Sequence, residues 1–377
     1  WTISLCWTST NIDSSWNFSL SNIDYWTNCS WIVVTKDSYN CSVNNDWPSS
    51  LGGDFSNVSW NCSLQYLDIA NSLRFDSSRS TYLKRTASSW PNNTTATLNL
   101  WLKRSKLWVI QLIYVRYPTT QQYTELYFTT DNKLTFDVTP NSWTDSVILS
   151  WKTNNTFSDV SSWYNIVFIV DTTQSNSNDY VQIYVNWVKQ SITYSIKTAT
   201  PSQTISMAVS GTEELWRNFN GYYYDWYMSE IIFVWWQALW PENFWVSIWW
   251  KWLPKSYTWS YWTNWFHLNF SNSWNLWDDV AWSNDWTLVN YSTPANDQVI
   301  DTPTNNFATW NPLQSRTVGY TFSPNLSNWN LKSTFAYNKW SFASITCTPW
   351  TKTYFEITKT DNLDASFWIW IVNNTFF

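Results

Sequence analysis

From about residue 66 onward, short runs of β-branched and aromatic residues alternate with clusters of turn-forming residues. NSLRF, ATLNLWLKR, LWVIQLIYVR, TELYFTT, KLTFDV, SVILS, WYNIVFIV, YVQIYV, SITYSI, ISMAV and EIIFV follow one another in order. Their spacing of roughly 8–15 residues predicts an all-β sandwich or barrel. The run Ile166-Val167-Phe168-Ile169-Val170 is continuously apolar and is predicted to lie buried between two sheets. Val181, Ile183 and Val185 alternate with Gln182 and Tyr184, the period of a strand with one buried and one solvated face. Before residue 66 the runs are shorter (NFSL, IVVT, NVSW) and carry no recognisable chemistry.

The turns between these runs have an unexpected composition. The chain holds 36 Trp and only 5 Gly in 377 residues, where average usage near 7% would supply about 26 Gly. Asn186-Trp187 lies between YVQIYV and VKQ, where a type I′ hairpin turn calls for Asn-Gly. Asp225-Trp226, Ser15-Trp16, Ser273-Trp274, Asn328-Trp329, Asn338-Lys339-Trp340 and Pro349-Trp350 repeat the pattern. A bulky residue is an outlier at positive φ, which Gly occupies freely. The expectation is that UGA was read as Trp in translation where the source reads Gly, a reassignment used by some bacterial lineages and their phages. Trp101, Trp163, Trp252, Trp286 and Trp310 sit in strand-like contexts and are expected to be genuine.

Charge narrows the function classes. The net charge is −6 with 13% charged residues and a pI near 4.8, which excludes the basic surface that nucleic-acid binding needs. Abundant Asn, Ser and Thr interleaved with aromatics fit an exported or particle-borne β protein. Four of the 5 cysteines, Cys6, Cys29, Cys41 and Cys62, fall early without a C-x-x-C pair. Two disulfides are expected there in preference to a zinc ribbon or free buried thiols, with Cys347 a buried strand residue. The apolar stretch from Ile231 to Leu253 carries Gln237, Pro241, Glu242, Asn243 and Lys251, so it is rejected as a membrane span. The chain opens on Trp1 and ends on Phe377 inside an apolar alternation, as expected of a fragment at both ends.

Five stretches in order carry a family likeness: NSLRFDSSRSTYLKR, LNLWLKRSKLW, SSWYNIVFIVDTTQ, DYVQIYVNWVKQ and YYYDWYMSEIIFVWWQALWPENF. They resemble the laminin-G-like (concanavalin A-like) domain of phage tail and structural proteins over residues 66–245. The chain departs from that pattern at Trp235-Trp236, where relatives usually carry Asp-Gly. The resemblance implies an antiparallel jelly-roll β-sandwich. Around it are expected a cysteine-containing β segment at 1–65, an extended connector at 246–320, and the start of a SPRY-like sandwich at 321–377.

Candidate chemistry is sparse. The single histidine, His267, sits in the alternating run Phe266–Phe270 and reads as a strand residue on the polar face. Histidine-based triads and metal sites therefore have little material. Glycosidases of this fold need two carboxylates facing one cleft. Glu125, Glu213, Glu214, Glu230, Glu242 and Glu356 show no acid-x-acid alternation. Glu213 and Glu214 are adjacent, so on a strand they face opposite ways. The fold makes calcium conceivable at Asp171 and Asp225, although Asp at a turn usually caps its own backbone. Tyr222-Tyr223-Tyr224 could stack on a sugar, against the simpler reading of tyrosines packing a sheet. Restoring Gly gives S-Y-G-T-N-G over 260–265, without the strand–helix context of a phosphate loop.

No catalytic, cofactor or metal residue is therefore expected, and the ligand residues are left open. The resemblance implies a non-enzymatic virion protein of tail-fibre or tail-tip type contacting host glycans. Its expected partners are a surface glycan or receptor, other virion proteins and further copies of itself, with no nucleic acid and no membrane span. The alternatives are a bacterial surface adhesin and a glycan hydrolase on the same fold. Either setting places the protein on a virion or at a cell surface.

Overall fold

A computed structural model describes the backbone of five early strands, then most of residues 66–310, and short pieces beyond. Within 66–310 the described residues exclude 89–93, 120–121, 140–146, 206–209, 216, 218–221, 224, 249–250, 259–264, 282–283 and 292–293. After 310 they comprise 325–327, 331–334, 343 and 357. The chain divides into two compact units, Trp1–Ser344 and Ile345–Phe377.

The early strands β1 (Thr2–Leu5), β2 (Thr8–Asn11), β3 (Ile32–Lys36), β4 (Tyr39–Val43) and β5 (Trp60–Leu64) form one sheet in the order β2-β1-β3-β4-β5. Cys41 and Cys62 are direct cross-strand partners, a placement that brings Cα atoms to about 4.5–5.5 Å. Cys6, Cys29 and Cys347 lie outside the described residues, so the expected pairing is not resolved by this register.

Residues 66–310 build an antiparallel sandwich. Its first strands are β6 (Ser72–Phe75), β7 (Tyr82–Ala87), β8 (Thr95–Arg104), β9 (Gln111–Thr119), β10 (Gln122–Phe128) and β11 (Leu134–Val138). They continue as β12 (Leu149–Thr153), β13 (Trp163–Asp171), β14 (Val181–Val185), β15 (Val188–Lys189), β16 (Ile192–Lys197), β17 (Gly211–Leu215) and β18 (Trp226–Trp235). Later come β19 (Trp245–Ile248), β20 (Lys251–Pro254), β21 (Phe266–Leu268), β22 (Thr287–Val289) and β23 (Gln298–Val299). One sheet runs β16-β12-β11-β10-β9-β17-β7-β22; the other runs β15-β14-β13-β8-β18-β6-β23, with β21 also on β18. The rejected membrane stretch resolves into the end of β18, a short 3-10 turn at Pro241–Asn243 and the β19–β20 hairpin.

The core lies between the sheets. Ile166–Val170, Val181, Ile183, Val185 and Ile231–Val234 supply buried apolar side chains to it, as the pattern predicts, whereas Tyr184, expected on the solvated face, is buried as well. Phe136 packs 4.2 Å from Phe168, with Trp151 beside both. Each large apolar side chain buried this way contributes about 1.5–3 kcal/mol. Trp101 and Trp163 are buried too, but on the opposite face of their sheet, in a satellite cluster with Ile69 and Tyr227. Trp163 directly faces Lys103 across the β13–β8 ladder, while Leu100 and Ile166 point to the core.

The segment expected as a connector contributes strands to both sheets. β21 pairs with β18, β22 with β7 and β23 with β6. After β23, residues 300–307 cross the outer face of the second sheet as a strap. Asp297 pairs with Arg74 and Arg79, and Asp301 pairs with Lys103 at 2.7 Å. Asp301 also accepts the Trp163 indole N–H at 2.9 Å. Of the expected SPRY-like region the described residues include the hairpin β24 (Asn325–Ser327) with β25 (Lys332–Thr334), together with Leu331, Ala343 and Ile357.

The tryptophans fall into distinct settings. Trp108, Trp187 and Trp236 have φ of 59°, 58° and 68°, the left-handed region that favours Gly. Trp187 is the second residue of the turn joining β14 to β15. Trp236 is one of the two positions at which the sequence departs from the resemblance. Trp274 sits in a turn with 92% of its surface exposed. Trp226, by contrast, opens β18 as a paired strand residue opposite Phe75 and Arg104, not as a turn. Trp16, Trp329, Trp340 and Trp350 lie outside the described residues.

Candidate functional site

The expected calcium carboxylates are engaged locally. Asp171 accepts from the Thr173 N–H, the Thr173 and Thr95 hydroxyls and the Gln174 amide. Burial opposes its charge, yet these bonds hold its carboxyl below the usual range. Asp225 accepts from the Ser77 N–H and hydroxyl and pairs with Lys106. Among the described residues no group of three His, Cys, Asp or Glu side chains could hold a metal. His267 lies on β21 with Nε2 2.5 Å from Glu230 Oε2, and Glu230 occupies a positive-φ position (49°) within β18.

Glu213 and Glu214 do face opposite ways, and each organises a different side of the first sheet. Glu213 points into the sandwich, between Arg85 on β7 at 2.5 Å and Arg116 on β9 at 3.1 Å, with the Tyr114 hydroxyl donating at 2.8 Å. Burial pushes this carboxyl up, but the two guanidinium charges more than reverse it and hold the group ionised. Aromatic rings close over the cations: Arg116 lies 4.6 Å from the Trp235 ring, and Arg85 lies 4.5 Å from Phe266.

Glu214 points outward. The registers set Asp137, Glu125, Val115, Glu214, Lys84 and Thr287 in one transverse row across β11, β10, β9, β17, β7 and β22. Tyrosines hold the carboxylates of this row. The Tyr127 hydroxyl donates to Asp137 Oδ2 at 2.8 Å, and the Tyr117 hydroxyl donates to Glu214 Oε1 at 2.8 Å. Tyr123 and Tyr127 stand on β10 either side of Glu125, partly exposed. Burial raises the hydroxyl pKa of Tyr117, Tyr123 and Tyr127, reinforced by the neighbouring carboxylates, so all three are neutral donors.

Within the row Glu214 forms an ion pair with Arg217, Nη1 to Oε1 at 3.3 Å. Arg217 Nη1 also donates to the Tyr82 hydroxyl at 3.1 Å, and its guanidinium lies 5.0 Å from the Tyr82 ring and 5.9 Å from the Tyr223 ring. Arg217 and Tyr223 are β-bridge partners, and Tyr222 is exposed beside them. Burial raises Glu214's carboxyl pKa, against the Tyr117 hydrogen bond and the charges of Arg217 and Lys84. Of the tyrosine triplet, Tyr224 lies outside the described residues. The pattern of the sequence pointed to the triplet and to the Glu213/Glu214 split, but not to Asp137 or Arg217.

No protein-family model and no curated protein matches the sequence. Among solved structures the chain is similar to a heptameric SAP-like pentraxin from Limulus polyphemus, with 13% identity and TM-score 0.31, covering 44% of this chain and 77% of that one. It is similar to a putative carbohydrate binding protein from Bacteroides ovatus, with 12% identity and TM-score 0.35, covering 52% of each chain. It is also similar to domains LG4-5 of the mouse laminin α1 chain, with 12% identity and TM-score 0.33, covering 45% of this chain and 42% of that one. Overlays of this quality carry no functional argument, and the fold assignment stands on strand order and register. Those define an all-β jelly-roll sandwich of the laminin-G-like kind.

Proposed function

We propose that the protein is a non-enzymatic surface protein that contacts glycans through the outer face of its first sheet. The carrying observation is the transverse row that holds Asp137, Glu125 and Glu214, with the Tyr127 and Tyr117 hydroxyls bonded to its carboxylates from either side. Sugars present both hydroxyl donors and apolar ring faces, and this surface supplies carboxylate acceptors beside aromatic platforms. A non-catalytic role is supported by how the acids are occupied. Glu213 is locked between two arginines, Glu230 is bonded to His267, and Glu214 is paired with Arg217.

The setting supported by the motif resemblance is a phage tail fibre or tail tip, with a bacterial surface adhesin as the alternative. Either places the chain outside the cell. The same reading takes Trp108, Trp187 and Trp236 as glycine positions of a recoded gene, supported by their positive φ. Nucleotide sequencing tests this directly: UGA at 187 and 236 with UGG at 101 and 163 is expected, and UGG at all four discards it.

The functional test is a panel of neutral and acidic glycans presented to the whole chain. Saturable binding weakened about tenfold by E125Q with Y127F, at unchanged melting temperature, is the expected result. A blank panel overturns the reading, and release of new reducing ends from any bound glycan overturns the non-enzymatic part. Labelling of purified particles against labelling of cell walls separates virion from adhesin.

A further inference from the structure

The Glu214–Arg217 pair is left half-used. Oε1 of Glu214 is bonded to both Tyr117 and Arg217, and Nη1 of Arg217 to both Glu214 and Tyr82. Yet Glu214 Oε2 and Arg217 Nε are both buried without a hydrogen-bond partner among the described residues. An unpaired buried polar group is destabilising because it has given up water without a replacement partner, and here an acceptor and a donor are orphaned on one ion pair. Glu214 is only 2% exposed, while the Arg217 side chain is 28% exposed, so the pair opens to solvent from the arginine side. Tyr82, Tyr117 and Tyr223 flank it, Tyr82 and Tyr223 with ring centroids 6.2 Å apart, and Tyr222 is 44% exposed next to Tyr223.

We propose that this pair is a subsite for a vicinal diol of an uncharged sugar ring, one hydroxyl donating to Glu214 Oε2 and its neighbour accepting from Arg217 Nε. The inference rests on the glycan-binding reading and narrows it to a ligand class. A single orphaned carboxylate oxygen would suit any donor; a matched donor and acceptor on adjacent groups suits two neighbouring hydroxyls, each of which can do either job. Within the pair glutamate and arginine cancel in charge, and Lys84 across the ladder is the nearest further cation. A uronate or sialate carboxylate meets Glu214, and an ammonium meets Arg217. The flanking tyrosines give the apolar face of the ring a surface to pack on.

The test titrates the whole chain with methyl glucoside, methyl mannoside and methyl galactoside, followed by ligand-observed NMR, with fully O-methylated versions as controls. Saturable binding of at least one hexoside, lost on O-methylation, is expected. E214Q and R217K should each weaken it at least tenfold. R217K keeps the charge beside Glu214 but loses the planar donor fork, and it carries the test where E214Q fails to fold. D131N, which alters an exposed pair with Lys152 on another part of the sheet, should leave binding unchanged. Retained affinity in a folded E214Q or R217K overturns the proposal, as does equal binding of methyl glucuronide. A positive glycan panel without hexoside binding removes this subsite alone; a blank panel removes the glycan reading with it.

Discussion

At the scale of single residues, the interior carboxylate of Glu213 carries the sharpest consequence. It neutralises two arginines inside the sandwich. Replacing it by Gln leaves Arg85 and Arg116 facing each other without a counter-charge, a loss of about 3–5 kcal/mol in urea unfolding. The pH dependence follows from the direction of its shift. Its folded pKa lies below the unfolded value, so its stabilisation is present above the unfolded carboxylate range and disappears as pH falls through the folded pKa. E213Q should therefore flatten the acid limb of the stability profile. Adjacency told the sequence reader that Glu213 and Glu214 part ways, but not which one enters the core. Arg85 and Arg116 come from other strands, and only the register brings them to Glu213. Tryptophan makes the complementary case. Trp108 is 56% exposed at φ 59°, so W108G should raise stability by roughly the 1–3 kcal/mol of such strain. W163A should instead cost about 3–5 kcal/mol, because that indole is buried and bonded to Asp301. Equal effects of the two substitutions in thermal denaturation would contradict two populations of tryptophan.

At the scale of elements, the long strands were legible and the short ones were not. β8 and β13 announce themselves because they are long enough to show their apolar character. β21 and β22 have three residues each, fewer than an alternation needs to be recognised, so residues 246–320 look like a connector. Their role is set by tertiary contacts. The strap over 300–307 bonds the Trp163 indole through Asp301, and Lys103 is buried beneath it against the same carboxylate. Burial drives the Lys103 pKa down, and Asp301 opposes that shift. D301A should remove the counter-charge of a buried ammonium, which keeps its bonds to Asn306 and the Phe307 carbonyl, and the acceptor of a buried indole N–H, together costing about 3–5 kcal/mol. It should also expose the satellite cluster, read as dye binding to apolar surface. An unchanged midpoint with no added dye binding would mean that the strap is only draped on the sheet.

At the scale of the whole molecule, fold and function differ in how they are written. The fold is carried by repeated local signals: alternation, apolar runs and turn clusters, each present many times. The proposed glycan face is carried by one register, which sets Asp137, Glu125, Glu214 and Lys84 side by side. Nothing local in TELYF, LTFDV or GTEEL marks these acids as neighbours. The row mixes charges, with Lys84 and Arg217 at one end and Glu125 and Asp137 at the other, on a chain of net charge −6. Such a surface should repel polyanions at long range, whereas its contacts with hydroxyls are short-ranged and unscreened. Affinity for a neutral glycan should therefore change less than about twofold between roughly 0.05 and 0.5 M salt, a range over which the Debye length falls severalfold. An acidic glycan should gain binding as salt rises, since screening removes the repulsion. A steep loss of neutral-glycan affinity with salt, measured by titration calorimetry, would instead point to a cationic ligand seated on the Glu125–Asp137 pair.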